Sequence, residues 1–399
     1  MTENKGLLYL GATWLSLNLL NMVLWTVGVS VHPAVYGAIS LLAMLAFGYR
    51  SLVMWVIVIL TLIFALLILS NPVMDWDARF IWMFHAKRIL FDGSLYGQLD
   101  GYANWSHNDY PNLVPALAAS LARAVGHWNE IIPRTSVLFA LVPVMLLAAL
   151  AWKQRGIFFA WLAVVIAVAQ GHLLSGYMDV YVGLYFGLGL VLLLSAQPKW
   201  LWSLVVLSLM LIKNEGLLAA ALLIAAFGWI HLRHPKQWWW AVWPVLAYAL
   251  IWKLPLVINH VQGDLFEHNL WARGLERLNN PQELLLLARA IQLNIGAVMW
   301  LIPLMGMLIW RIKHQRHLAA LVLLAPLAYA TAVTVIYLVT PHDLRWHLHT
   351  SSDRVFMVFN LALITLFFSL LNDFVDPWLS DIHARQALTP GAPRRTPLA

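Results

Sequence analysis

Residues 52–70 read LVMWVIVILTLIFALLILS, a run of nineteen positions without a charged side chain. A helix of about 20 apolar residues can cross the hydrocarbon core of a bilayer. Similar runs recur along the 399-residue chain, in which 62% of residues are hydrophobic and 11% are charged. Soluble domains carry about 25% charged residues, and so few charges could not cover a large soluble core. The sequence therefore predicts an all-α polytopic membrane protein and excludes a soluble, disordered or coiled-coil chain.

The apolar runs predict about twelve transmembrane helices, which would place both termini on the same side. The predicted spans are 7–27, 33–49, 52–70, 133–152, 157–174, 180–196, 199–212, 217–231, 238–257, 291–310, 318–339 and 354–371. Residues 1–372 are interpreted as one membrane domain that includes the long loop 71–132. Residues 373–399 are interpreted as a disordered cytoplasmic tail.

The orientation is predicted from basic residues, which are concentrated in cytoplasmic loops of membrane proteins. They lie in alternating loops near residues 153–155, 199, 233–236 and 311–316. The net charge of +7 is therefore assigned to cytoplasmic loops and not to a nucleic-acid partner. There is no cysteine, which excludes disulfides, thiolate metal sites and cysteine nucleophiles.

The opposite face carries the loops 71–132, 258–290 and 340–353 and fourteen of the eighteen acidic residues. A solvated surface needs some of these acids, and an active site at the ends of several helices would also need them. Loop 71–132 contains an aromatic and basic stretch at 79–91 and a helical apolar spacing at 113–125. We expect two helices there that lie along the outer membrane face.

Four groups of residues are candidates for chemistry on this face. They are Asp75 and Asp77, the run from His107 through Asp109 and Tyr110 to Pro111, Gly176 to Asp179 with Lys213 to Glu215, and Trp346 to Arg354. Each also has an ordinary structural explanation. Asp75, Asp77 and Asp179 are suited to cap helices. Lys213 could pair with Glu215, Arg354 could hold a helix end with Asp353, and Lys87 and Arg88 could be solvated at the interface.

Taken together, these groups resemble the GT-C membrane glycosyltransferases, which use polyprenyl-phosphate-linked sugars and include protein O-mannosyltransferases and bacterial lipid A aminoarabinose transferases. The order of the motifs and their shared membrane side carry the resemblance. The chain differs from many members by having three predicted spans before the first large loop and no soluble C-terminal domain. The resemblance implies a location in the bacterial inner membrane, with the active site on the periplasmic side.

The resemblance also implies roles for individual residues in an inverting transfer from a polyprenyl-phosphate sugar to a hydroxyl of a glycan, lipid or protein. Asp77 is the expected base, and Asp75 is the alternative. Lys213, Arg354 and Lys87 are the expected ligands of the donor phosphate. The expected acceptor- or metal-orienting residues are Asp179, Glu215, His107, Asp109 and Tyr110. The chemistry leaves room for a divalent cation without requiring one, and a metal role for His342, His347 and His349 is weaker than a structural one.

Two other classes of protein remain alternatives. A transporter or flippase of lipid-linked sugars would place polar residues in mid-span, whereas here the charges lie mainly at predicted helix ends. An O-antigen polymerase or ligase also has about a dozen spans. Its largest outer loop usually comes late in the chain, whereas here the largest loop comes early. No phosphate-binding loop, His-Glu-x-x-His or Gly-x-Ser-x-Gly motif is found.

Overall fold

The computed structural model describes residues 2–48, 51–71, 75–101, 103–152, 154–169, 171–261, 263, 269–311 and 316–387. Throughout these residues the regular secondary structure is helical, which confirms the predicted all-α class. The first nine helices are α1 (Thr2–Trp25), α2 (Pro33–Ala43), α3 (Leu52–Ser70), α4 (Met83–Asp92), α5 (Leu113–Val125), α6 (Ser136–Ala151), α7 (Arg155–Ala169), α8 (His172–Ser175) and α9 (Asp179–Leu194). The next nine are α10 (Lys199–Ile212), α11 (Asn214–Ile230), α12 (Trp239–Tyr248), α13 (Leu254–Ile258), α14 (Leu270–Leu278), α15 (Pro281–Met299), α16 (Leu301–Arg311), α17 (Arg316–Val339) and α18 (Leu344–Ala387).

Seven helical segments of the described chain are long and apolar enough to cross a membrane, so this is an α-helical membrane protein. They are Glu3–Trp25, Leu52–Ser70, Ile132–Ala151, Pro235–Ile258, Pro281–Arg311, His317–Val339 and Leu344–Asp376. Each corresponds to one of the twelve predicted spans. The other five predicted spans coincide with shorter apolar helices, so the count of twelve is not confirmed.

Several predicted boundaries are wrong. Much of the predicted loop 258–290 is helical, because α14 occupies Leu270–Leu278 and α15 begins at Pro281, where proline suits a first turn. The loop before the last helix is also short, since α18 begins at Leu344 and not at 354. Residues 373–387 continue α18 instead of forming the disordered tail. An existing helix is extended at low cost per residue because its first turn is already formed, and here it continues past Pro377 although proline is unfavourable inside a helix. Lys153, Lys313 and residues 388–399 lie outside the described residues.

Helix α9 lies at the centre of the bundle. Nearly every one of its side chains is buried, and it packs against α18, α10, α11 and α6. A helix that is apolar on all sides is stable where other helices surround it. Gly183 and Gly187 allow α18 to approach closely, because a β-carbon on Gly187 would lie only 2.7 Å from Cβ of Thr365. This centre holds the first residue of α9, Asp179, in a fixed position.

The predicted loop 71–132 contains the two expected helices, α4 and α5, together with a π-helical turn at Ala78–Trp82. Helix α5 is more deeply packed than an interfacial helix would be. Most of its side chains are buried, and it contacts α1, α4 and α6. The physical reason is its composition, since Ala and Leu cover more of its surface than one apolar stripe requires.

Candidate functional site

The candidate site lies at the end of the bundle where α9 and α11 begin. Five charged side chains, called here the charge cluster, come together there from four separate stretches of sequence. They are Asp77, Asp179, Lys213, Glu215 and Arg354.

Asp77 and Arg354 form the first part of the charge cluster. Asp77 precedes the π-helical turn before α4, and its Oδ2 accepts a hydrogen bond from the Arg354 guanidinium. Both side chains are largely buried, with exposed fractions of 14% and 12%. The guanidinium also donates to the carbonyl of Thr350 at 2.7 Å and lies 4.3 Å from the ring centroid of Tyr177. The structure thus shows a hydrogen bond between Asp77, the expected base, and Arg354, an expected ligand of the donor phosphate.

Arg354 does not begin the last helix, as the sequence had suggested, but lies ten residues after its start at Leu344. The polar residues before it are compatible with helix because their hydroxyls bond to carbonyls one turn earlier. Thr350 Oγ1 donates to the carbonyl of Trp346 at 2.9 Å, and Ser351 Oγ donates to that of His347 at 2.7 Å.

Lys213 forms the centre of the second part. It lies in extended backbone between α10 and α11, with its Nζ 2.7 Å from Asp179 Oδ1 and 3.1 Å from Glu215 Oε1. The Lys213 and Asp179 side chains are only 5% and 2% exposed. Burial alone would lower the pKa of the Lys213 ammonium, but Asp179 and Glu215 outweigh burial and hold that pKa above its usual value. Lys213 is therefore a charged lysine that neutralises two carboxylates.

The two parts of the cluster act on each other. The charge of Arg354 acts on Asp179, and the charge of Asp77 acts on Lys213. A close approach of backbones makes this possible. Gly176 has a φ of +97°, and a β-carbon there would lie 2.8 Å from Cβ of Ala78, the residue after Asp77. Glycine at 176 therefore lets the segment that leads into α9 reach the turn that carries Asp77.

The run from His107 to Tyr110 packs against the cluster. The Asn214 side chain donates to Asp109 Oδ2 at 2.7 Å, and Trp252 Nε1 donates to the Asp109 carbonyl at 3.0 Å. The Tyr110 ring stacks on His107 with 4.6 Å between ring centroids. Burial, followed by the negative charges of Glu215, Asp109, Asp77 and Asp179, raises the pKa of the Tyr110 hydroxyl well above its usual value. This phenol therefore stays protonated and can donate a hydrogen bond.

A cavity of about 180 Å³ adjoins the cluster. Four predicted residues line it, namely His107, Asp109, Tyr110 and Glu215. The other residues that line the cavity are Asn214, Leu218, Val333, Ile336, Tyr337, His342, His347 and Val355. Asp77, Asp179, Lys213 and Arg354 are not among the lining residues. The carboxylates that face this space are therefore Glu215 and Asp109, not the expected base Asp77.

Two of the predicted residues have looser connections to the site. Asp75 is near enough for its charge to act on Tyr177, whose pKa burial raises to about 12. Lys87 lies half-buried on α4, and none of the contacts within the described residues joins it to the charge cluster. A phosphate role for Lys87 therefore has no geometric support.

A metal site would need several histidine or carboxylate side chains close together. Within the described residues, no group of three or more histidine or carboxylate side chains could hold a metal ion. His342 and His347 instead pack edge to face with 5.4 Å between ring centroids, and both line the cavity. The described residues therefore do not form a site for a resident cation.

Sequence reasoning missed several residues that shape the site. Tyr337 lines the cavity and its hydroxyl lies 2.8 Å from Ser351 Oγ, but in the sequence it is only one aromatic residue in an apolar run. Asn214 also lines the cavity, but in the sequence it stands out only as the residue between Lys213 and Glu215. An amide between two charged residues at a predicted helix junction is the signal that could have marked it.

No family model, curated protein or solved structure matches this chain.

Proposed function

We propose that this protein is an inverting membrane glycosyltransferase of the GT-C type. It would transfer a sugar from a polyprenyl phosphate to an acceptor hydroxyl at the outer membrane face. The observation that carries the proposal is the convergence of Asp77, Asp179, Lys213, Glu215 and Arg354 beside a cavity. In an apolar bundle, buried ionisable groups are costly and are retained mainly where they serve function.

The charges suit the reaction that the resemblance implies. Negative charge develops on the phosphate as it leaves, and fixed positive groups stabilise it. Arg354 offers a planar guanidinium suited to phosphate, and Lys213 offers a compact point charge. The acceptor hydroxyl needs a carboxylate base within about 3 Å, which the same cluster supplies.

The topology of the proposal is the twelve-span arrangement with both termini in the cytoplasm. The five shorter apolar helices support it, because each coincides with a predicted span and a span shorter than the bilayer thickness is accommodated at modest cost. This arrangement puts the charge cluster at the periplasmic side, where a lipid carrier presents its phosphate at headgroup level.

The proposal is tested by mass spectrometry of surface glycans and lipids from cells with and without the gene. We expect one glycan or lipid to lose a sugar mass when the gene is deleted. The wild-type gene should restore it fully, and an Asp77→Asn variant of equal expression should restore less of it. Full restoration by Asp77→Asn would remove Asp77 from the site. Loss of the sugar together with accumulation of the lipid-linked sugar on the cytoplasmic side would instead favour a flippase.

A further inference from the structure

We propose that the cavity beside the charge cluster is the acceptor site and that Glu215 is the carboxylate that takes the proton from the acceptor hydroxyl. This inference rests on the proposed function and changes the base from Asp77 to Glu215. The positions of the two carboxylates, and not the sequence motif, favour Glu215.

Glu215 is the better placed of the two. Its Oε1 is held 3.1 Å from Lys213 Nζ, while its Oε2 is buried without a hydrogen-bond partner, and the residue lines the cavity. A buried acceptor atom without a partner costs free energy unless a ligand satisfies it. Asp77 does not line the cavity, and its Oδ2 is engaged by Arg354.

The cavity has the chemistry of a site for a small ring that carries hydroxyls. One part of its lining is an apolar wall that includes Leu218, Val333 and Val355, and other parts carry Glu215, Asp109 and the histidines. His347 Nδ1 is a second buried atom in this lining without a hydrogen-bond partner. The volume of about 180 Å³ is below the roughly 300 Å³ at which pockets for drug-sized ligands begin. It therefore suits one sugar-sized unit rather than an extended chain.

The proposed sugar transfer involves these bond changes. The acceptor O–H bond breaks, and its proton moves to Glu215 Oε2. The acceptor oxygen forms a bond to the anomeric carbon, and the bond from that carbon to the phosphate oxygen breaks. The electron pair leaves with the polyprenyl phosphate. Asp77 is then a positioning residue, because its contact fixes Arg354 for that phosphate.

The experiment compares purified wild-type protein, Glu215→Gln and Asp77→Asn in liposomes. The donor is a polyprenyl-phosphate sugar that the wild type turns over, and the acceptor is a lipid extract of the deletion strain. We expect Glu215→Gln to lower kcat by about 10²–10⁴-fold, the usual range for losing a general base, with the donor KM changed less than about threefold. Asp77→Asn should instead raise the donor KM and retain more than about a tenth of kcat, since it loosens a binding group and leaves the base intact.

Two further variants separate catalysis from folding. Glu130→Gln is the matched control, because Glu130 is exposed and, within the described residues, its side chain bonds only to Trp128. It should behave as wild type. Val333→Trp fills the cavity from the apolar wall without changing a charge, and it should raise the acceptor KM.

The inference is overturned if Glu215→Gln keeps kcat within about threefold of wild type, or if Asp77→Asn shows the loss of kcat instead. It is also overturned if Val333→Trp leaves the acceptor KM unchanged. If the wild type turns over no donor at all, the proposed function itself fails, which is a different result from a misplaced base.

Discussion

Lys213 neutralises Asp179 and Glu215 at once, so its removal should be costly. Lys213→Met would leave both carboxylates largely buried without their shared cation. Breaking a buried ion pair by removing one partner costs about 3–5 kcal/mol. We expect a loss of that size in the free energy of unfolding in detergent.

Lys87→Met is the control for this measurement. Lys87 is half-buried on α4, outside the charge cluster, so its change should stay within about 0.5 kcal/mol. Equal stability of the two variants would show that Lys213 does not hold the cluster together.

His85 should make stability depend on pH. Its side chain is fully buried on α4, with Nδ1 2.7 Å from Asn112 Oδ1, and burial lowers its pKa from 6.5 to about 4. Between these two values the unfolded chain binds the proton and the folded chain does not. The contribution of neutral His85 is therefore fully present above pH 6.5 and is lost as the pH falls to about 4.

The unfolding midpoint should accordingly fall over this interval in wild-type protein, and His85→Gln should make the fall smaller, leaving the part due to His347, whose pKa burial also lowers to about 4. His127→Gln, at an exposed loop position, is the control and should leave the curve unchanged. A wild-type midpoint that does not change from pH 6.5 to pH 4 would contradict the assignment.

At this scale the sequence predicted most of the residues that meet and the local pair of Lys213 with Glu215, but not the pairs between distant segments. Asp77 and Arg354 are 277 positions apart, and Lys213 is 34 positions from Asp179. Such pairings depend on how α9, α11 and α18 pack, which no local pattern determines. The sequence therefore assigned the base to Asp77 by its motif, while the packing presents Glu215 to the cavity.

Among the helices, the contact between α9 and α18 determines the position of Asp179 and Arg354 relative to each other. Gly187→Ala should disturb this contact, because its β-carbon would meet Thr365 Cβ at 2.7 Å. Overpacking of this kind costs about 1–3 kcal/mol. We expect a lower unfolding midpoint and weaker donor turnover in the same variant.

Gly37→Ala on α2 is the matched control. A β-carbon at Gly37 meets nothing within 4 Å, so the substitution should be neutral or slightly stabilising through helix propensity. If the Gly187 variant were as stable as the Gly37 variant, the close packing of α9 on α18 would be disproved.

Long apolar helices were predictable because composition alone decides them, as Leu52–Ser70 and His317–Val339 illustrate. The starts of helices that lie in polar sequence could not be predicted from composition. Leu344–Asp353 contains two histidines and several hydroxyl side chains, yet it is helical, because Thr350 and Ser351 bond to their own helix. Pro281 similarly begins α15 within a stretch that hydropathy assigns to a loop.

For the whole molecule, the proposed topology can be tested by labelling, because the chain contains no cysteine. A cysteine in place of His127 would lie in an exposed loop at the cluster end, between α5 and α6. A cysteine in place of His234 would lie in an exposed basic loop beside Arg233 and Lys236. Since basic loops stay in the cytoplasm, a membrane-impermeant maleimide should label only the first variant in intact cells. The reverse labelling would put the charge cluster on the cytoplasmic side.

The central claim is that charges joined by packing at one end of an apolar bundle form a transfer site. The most direct measurement is the release of polyprenyl phosphate from a panel of radiolabelled polyprenyl-phosphate sugars by the purified protein in liposomes. We expect wild-type protein to release it from at least one donor and Asp179→Asn protein, which lacks the carboxylate that pairs with Lys213, to release less of it. Release at the wild-type rate by Asp179→Asn, or no release by the wild type from any donor, would contradict the account.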